Sequence, residues 1–165
     1  MILRRLSTLL FLVCLAPGAV EAQDVDRVRL AVAAGPTLND LEVGGLLWLT
    51  TVGAELRLTR LPLAVDASLR YLTYTAAERE HYPLVEVSVQ WELPAGPVSP
   101  FLGAGAGLAW RIRPGDSDMN AATHVAAGLR AALGSRAGLR AEARLRSLEP
   151  LGDFTLGLSW GLGGR

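Results

Sequence analysis

The residues able to move protons, hold metals or pair as ions are two histidines, His81 and His124, one cysteine, Cys14, and a large set of arginines and carboxylates. Neither histidine has a partner at metal-ligand spacing, so no metal site is expected. His124 has no serine two positions away on its segment and no third group to orient it, so a polar rim residue is its plainer reading. His81, between Glu80 and Tyr82, reads as a loop residue. The run Gly103 to Gly107 spells GAGAG and superficially suggests a phosphate cradle. The nucleotide fingerprint, however, is G-x-G-x-x-G between a strand and a helix, and no helix follows, so no cofactor is expected. The chain has 16 basic and 16 acidic residues and no net charge, which excludes the cationic surplus that nucleic-acid binding requires.

The elements that must position these groups follow from the pattern around them. The chain is 50% hydrophobic and 19% charged, with 18 Gly, too apolar for disorder and too rich in glycine for a helical bundle. Arg4 and Arg5, the apolar run Leu6 to Leu15, and Val20, Glu21, Ala22 form a secretory signal peptide with its cleavage site. The apolar core is shorter than the roughly 18 residues of a membrane-spanning helix. The expected division is residues 1–22 as signal peptide and 23–165 as one domain. Val13 ahead of Cys14 is too large for lipid attachment, and cleavage leaves no cysteine, hence no disulfide in the oxidising compartment beyond.

In the remainder, apolar residues recur at every second position in eight segments: Arg27 to Gly35, Leu46 to Thr59, Leu63 to Tyr74, Leu84 to Leu93, Phe101 to Ile112, Thr123 to Leu133, Gly138 to Arg146 and Phe154 to Leu162. Short connections (60–62, 94–100, 134–137) alternate with longer polar ones (36–45, 75–83, 113–122, 147–153). This predicts an all-β fold, an eight-stranded antiparallel up-and-down transmembrane β-barrel, with short turns in the periplasm and long loops outside. One face carries Leu, Val and Ala; the other carries Arg29, Glu55, Arg57, Asp66, Arg70, Glu86, Arg111, Arg130, Arg140, Glu142 and Arg144, interspersed with glycine. Glycine beside arginine suits the narrow interior of a small barrel, where long side chains need bare backbone opposite them. Trp48, Tyr71, Trp110 and Phe154 fall on the apolar face near the outer ends, and Trp91 and Trp160 near the periplasmic ends, as two aromatic belts at the bilayer interfaces. Outer-membrane lipid is therefore the expected surround and a monomer the expected state.

At this point three stretches bear a family likeness. PFLGAGAGLAWR (100–111) resembles the fifth strand, and AGLRAEAR (137–144) the seventh strand, of the small OmpA-type outer-membrane barrels. Thr155, Gly157, Trp160 and Leu162 resemble the terminal signal of that group, which implies the barrel-assembly machinery as a partner during biogenesis. The resemblance spans the whole secreted chain and implies a structural or surface-interaction role, through loops that could hold an extracellular ligand. Lipid-modifying members of the group use His with Ser and an acid at the outer rim, which makes His124 with Ser117, Asp116 or Asp118 the enzymatic alternative. A soluble periplasmic carrier of lipocalin type is the other alternative, since its barrel also has one apolar and one polar face.

The inward charges need partners. Pairing across a tight turn at Leu61 and Pro62 puts Arg57 opposite Asp66 and Glu55 diagonal to Arg70. Across residues 134–138, Arg130 is expected opposite Glu142; a register two residues tighter brings it to Arg140 instead. An eight-stranded interior is just wide enough for side chains to fill, so a plug of ion pairs is expected in preference to a pore.

Overall fold

The computed structural model describes residues 27–38, 47–58, 61–73, 81–93, 97–134, 136–148 and 151–162. The expected signal peptide lies outside them. Eight strands follow one another: β1 (Arg27–Leu38), β2 (Leu47–Leu58), β3 (Leu63–Thr73), β4 (His81–Glu92), β5 (Val98–Arg113), β6 (Asp116–Ala132), β7 (Ala137–Arg146) and β8 (Gly152–Gly161). Each pairs antiparallel with its chain neighbour, and β1 pairs with β8, so the sheet closes on itself. Closure removes the exposed edges that would otherwise template aggregation.

The period-two pattern has the consequence drawn from it. In β7, Arg144 is 1% exposed, Leu145 60% and Arg146 6%, an inversion of ordinary soluble burial. The same alternation sets Val85, Val87 and Val89 outside and Glu86, Ser88 and Gln90 inside along β4. Such an exterior is at rest only against an apolar medium, because water gains nothing by meeting a continuous Leu and Val wall. A soluble carrier would need the opposite arrangement, so that alternative falls.

Three details differ from the sequence expectation. The connection expected over 113–122 is instead a hairpin: β5 runs to Arg113, β6 starts at Asp116, and only Pro114 and Gly115 turn the chain. Gly115 has φ 86°, and proline followed by a positive-φ glycine is the type II turn pattern. His81 is not in a loop but opens β4, stacked on Tyr71 with ring centroids 5.9 Å apart. The registers of two hairpins at the short-turn end are shifted by two residues, with Glu55 opposite Asp66 and Arg130 opposite Arg140.

Candidate functional site

The lumen is lined from inward-facing positions on these strands, and twelve of its charged side chains form one connected network. Nearest the chain termini, Arg57 donates to Glu55 (Nε to Oε1, 3.1 Å) and to Glu92, while Arg130 donates to Glu55, Gln90 and Glu92. The guanidiniums of Arg130 and Arg140 lie 4.2 and 5.2 Å from the Phe101 ring centroid, so one buried ring serves two cations. Phe101 fits there because Gly128 lies directly opposite it: a Cβ at 128 would sit 2.5 Å from the ring and 2.3 Å from the Ala141 carbonyl oxygen.

In the middle of the barrel, Arg140 donates to Asp66 (2.8 Å) and Glu142. Glu142 also accepts from Arg70 and Arg144, the Nη2 of Arg144 lying at 2.9 Å. Arg70 reaches Asp153 at 3.0 Å and Glu86 at 3.0 Å; Glu86 in turn accepts from Arg144 at 2.8 Å and Arg146 at 2.6 Å. Arg146 also holds Asp153. Thus each of Arg57, Arg70, Arg130, Arg140, Arg144 and Arg146 meets at least one of six carboxylates, Glu55, Asp66, Glu86, Glu92, Glu142 and Asp153. Charge balance on this scale is what low-dielectric burial demands, since an unpaired ion there costs several kcal/mol, about 3 to 5. Beside Thr51, Ser68, Arg70 and Thr155 there remains a cavity of about 20 Å³, the space of about one water.

The six lumen residues named from sequence, Glu55, Arg57, Asp66, Arg70, Arg130 and Glu142, all face inward, but with other partners. Arg57 sits opposite Ala64 and bonds Glu55 and Glu92, not Asp66. Asp66 takes Arg140, and Arg130 takes Glu55 and Glu92 in place of Glu142. Three network members lay outside the sequence reading: Glu92, Arg146 and Asp153. Their signal was present in parity, as 92 continues the inward set 86, 88, 90, and 146 continues 140, 142, 144.

His124 is neither a rim residue nor near Ser117. It is buried in the lumen with Nδ1 3.5 Å from Glu86 Oε1, opposite Gly105, where any Cβ would meet its ring at 2.8 Å. Ser117 stands seven residues up the same extended strand, about 23 Å away. The grouping with Asp116 and Asp118 is likewise not assembled, since both belong to the hairpin end of β6.

At the loop end the lumen chemistry changes. Leu49, Leu72, Tyr82, Leu84 and Ala109, on β2 to β5, form a buried apolar cluster at this end of the barrel. On the outer wall, Trp48, Tyr71 and Phe154 are exposed near this end and Trp91 and Trp160 near the other; Trp110 is half-buried, opposite Met119. In the last strand, Thr155 points inward, Trp160 outward, and Leu162 follows the strand end exposed. Gly157 packs so tightly on β1 that a Cβ would lie 2.3 Å from the Val32 carbonyl oxygen.

A closed eight-stranded wall, apolar outside and ionic inside, can be compared with known folds. No protein-family model and no curated protein sequence matches the chain. Among solved structures, Neisserial surface protein A superposes with a TM-score of 0.67 at 16% identity, over 81% of this chain and 96% of that one. The fold is that of the small outer-membrane barrels. Ail, the attachment invasion locus protein of Yersinia pestis, matches with a TM-score of 0.56 at 15% identity, over 84% of this chain and 100% of its own. The N-terminal barrel domain of Pseudomonas aeruginosa OprF gives 0.56 at 17% identity, over 85% and 100%.

Proposed function

We propose that this chain is a monomeric outer-membrane protein whose barrel is a sealed anchor and whose role, structural or in surface interaction, is carried by its loop end. The observation that supports this reading most is the pairing of an apolar outer wall with a lumen filled by matched ions. A wall of this kind suits lipid, and a lumen of this kind is suited to holding a barrel shut. In this reading the aromatic residues at the two ends, Trp48, Tyr71, Trp110 and Phe154 above and Trp91 and Trp160 below, anchor it at the two interfaces. Thr155, Gly157, Trp160 and Leu162 serve recognition by the barrel-assembly machinery. The role is not enzymatic, a reading supported by the burial of His124 in the lumen, seven residues along the strand from Ser117. The test is fractionation of the expressed chain together with gel mobility before and after boiling. Outer-membrane recovery with a heat-shifted band is expected; a detergent-free soluble monomer would refute it.

A further inference from the structure

By strand parity the arginines and carboxylates of β1 to β8 share the inward face, and among the described residues His81 is the one basic side chain on the outward face. It begins the outward row of β4 that continues through Val85, Val87 and Val89 to Trp91, alternating with the buried row from Tyr82 to Gln90. Tyr71 stands on the outward row of β3 and is 40% exposed. In the β3–β4 register Thr73 is opposite His81 and Pro83 opposite Tyr71, so Tyr71 and His81 are diagonal neighbours on one face, a separation that aromatic side chains can bridge. They do meet: the Tyr71 hydroxyl and His81 Nδ1 are 2.5 Å apart, and the rings stack with an interplanar angle of 29°.

The depth of the pair follows from strand geometry. His81 and Trp91 are ten residues apart on one strand. That separation is about 33 Å along the strand, which a tilt of about 40° reduces to a height of about 25 Å, the height of the apolar band of an outer-membrane barrel. With Trp91 at one bilayer interface, His81 lies at the other, within a side chain's reach of the headgroup phosphates. A neutral phenol–imidazole pair carries two polar protons, one of them shared between the hydroxyl and Nδ1. If the phenol donates, the second proton is on Nε2; if Nδ1 donates, it is on the phenol. Either tautomer keeps one donor for a ligand, and the imidazolium form offers two with a positive charge. Neither side chain makes another hydrogen bond among the described residues. The acceptor of matching chemistry at this depth is a phosphate, and the stack on Tyr71 orders the imidazole before a lipid arrives.

We propose that Tyr71 and His81 together bind the phosphate of a lipid headgroup on the outer wall of the barrel. The proposal deepens the anchoring reading and rests on its placement of this wall in lipid; it holds whichever leaflet the loop end meets. To test it, the full secreted chain with ring-¹⁵N histidine is folded into bilayers of phosphatidylcholine and phosphatidylglycerol in phosphate-free buffer, so that lipid is the only source of phosphorus. The chain has two histidines, His81 and His124, and His81→Asn assigns their signals. Solid-state NMR then reads ¹⁵N–³¹P dipolar dephasing at each ring. Dephasing is expected at His81 and not at His124, which is buried in the lumen and serves as the internal control. Tyr71→Phe keeps the ring and the depth but removes the hydroxyl, and should cost His81 most of its dephasing. An inserted barrel whose His81 shows none, equal dephasing at both histidines, or dephasing in Y71F as strong as in the unaltered chain would overturn the site. Failure to insert in the bilayer would instead contradict the membrane reading on which the site rests.

Discussion

Replacing Glu142 by glutamine probes the part of the lumen where the charges are most interdependent. Its carboxylate accepts from Arg70, Arg140 and Arg144, and its residue is 1% exposed. The amide keeps the volume but leaves the network one negative charge short. Breaking a buried ion pair costs about 3 to 5 kcal/mol in a dry interior, and each of the three arginines keeps a second acid, so a loss of about 2 to 4 kcal/mol is expected. Those second acids are Glu86 and Asp153 for Arg70, Asp66 and Glu55 for Arg140, and Glu86 and Asp66 for Arg144. Arg144→Met removes one cation at similar length. The double variant restores charge balance and should recover part of the loss, with a coupling of about 1 to 3 kcal/mol. Arg130→Met is the comparison, because Arg130 bonds Glu55, Gln90 and Glu92 and reaches Glu142 only through Glu55 and Arg140, so its coupling to E142Q should be smaller than that of R144M. Urea unfolding in lipid vesicles, read by tryptophan fluorescence, measures all four corners of each cycle. Additivity of E142Q with R144M, or equal coupling to R130M, would refute the connectivity described here.

Three other outcomes follow from the same structure. Val87, outward-facing at the middle of β4, should cost about 2 to 4 kcal/mol when replaced by Arg, and unchanged vesicle-unfolding midpoints would show that this wall does not meet lipid. Gly128→Val should prevent or strongly slow folding, seen as loss of the heat-shifted band, because its Cβ would overlap both Phe101 and the Ala141 carbonyl; Gly134→Val, where no atom lies within 4 Å of the added Cβ, should fold, though the positive φ there makes it less stable. Gly115→Val should cost about 1 kcal/mol or more by forcing a β-branched residue to φ 86°, with fraying of amide exchange confined to the β5–β6 hairpin.

Strand number, strand order and the choice of inner face were legible because burial on one side of a sheet enforces period two, and Leu145 between Arg144 and Arg146 can satisfy only one assignment. Pairing partners were not, for a related reason. A shift of two residues leaves every side chain on its own face, so the pattern that locates Arg130 inside is equally content with Glu142 or Arg140 opposite. Turn length decides between them, and a four-residue connection between Leu58 and Leu63 is no less compatible with the sequence than a tighter one. The ion pairs are also not mainly cross-strand neighbours. Arg130 reaches Glu55, 75 positions away, and Arg70 reaches Asp153, 83 positions away, across the narrow lumen. Such contacts depend on closure of the whole barrel, which no local pattern encodes. The extended hairpin was hidden by its polar composition: Asp116, Ser117, Asp118 and Asn120 look like a loop, and only Pro114–Gly115 marks the turn.

The central claim is that ions matched one to another shut this barrel. The direct measurement is the current through the purified, folded protein in a planar bilayer. A lumen packed with guanidinium–carboxylate contacts should pass no stable current, and the current should stay at baseline when potassium chloride is raised. Large, long-lived, ion-selective steps from the unaltered chain would contradict it.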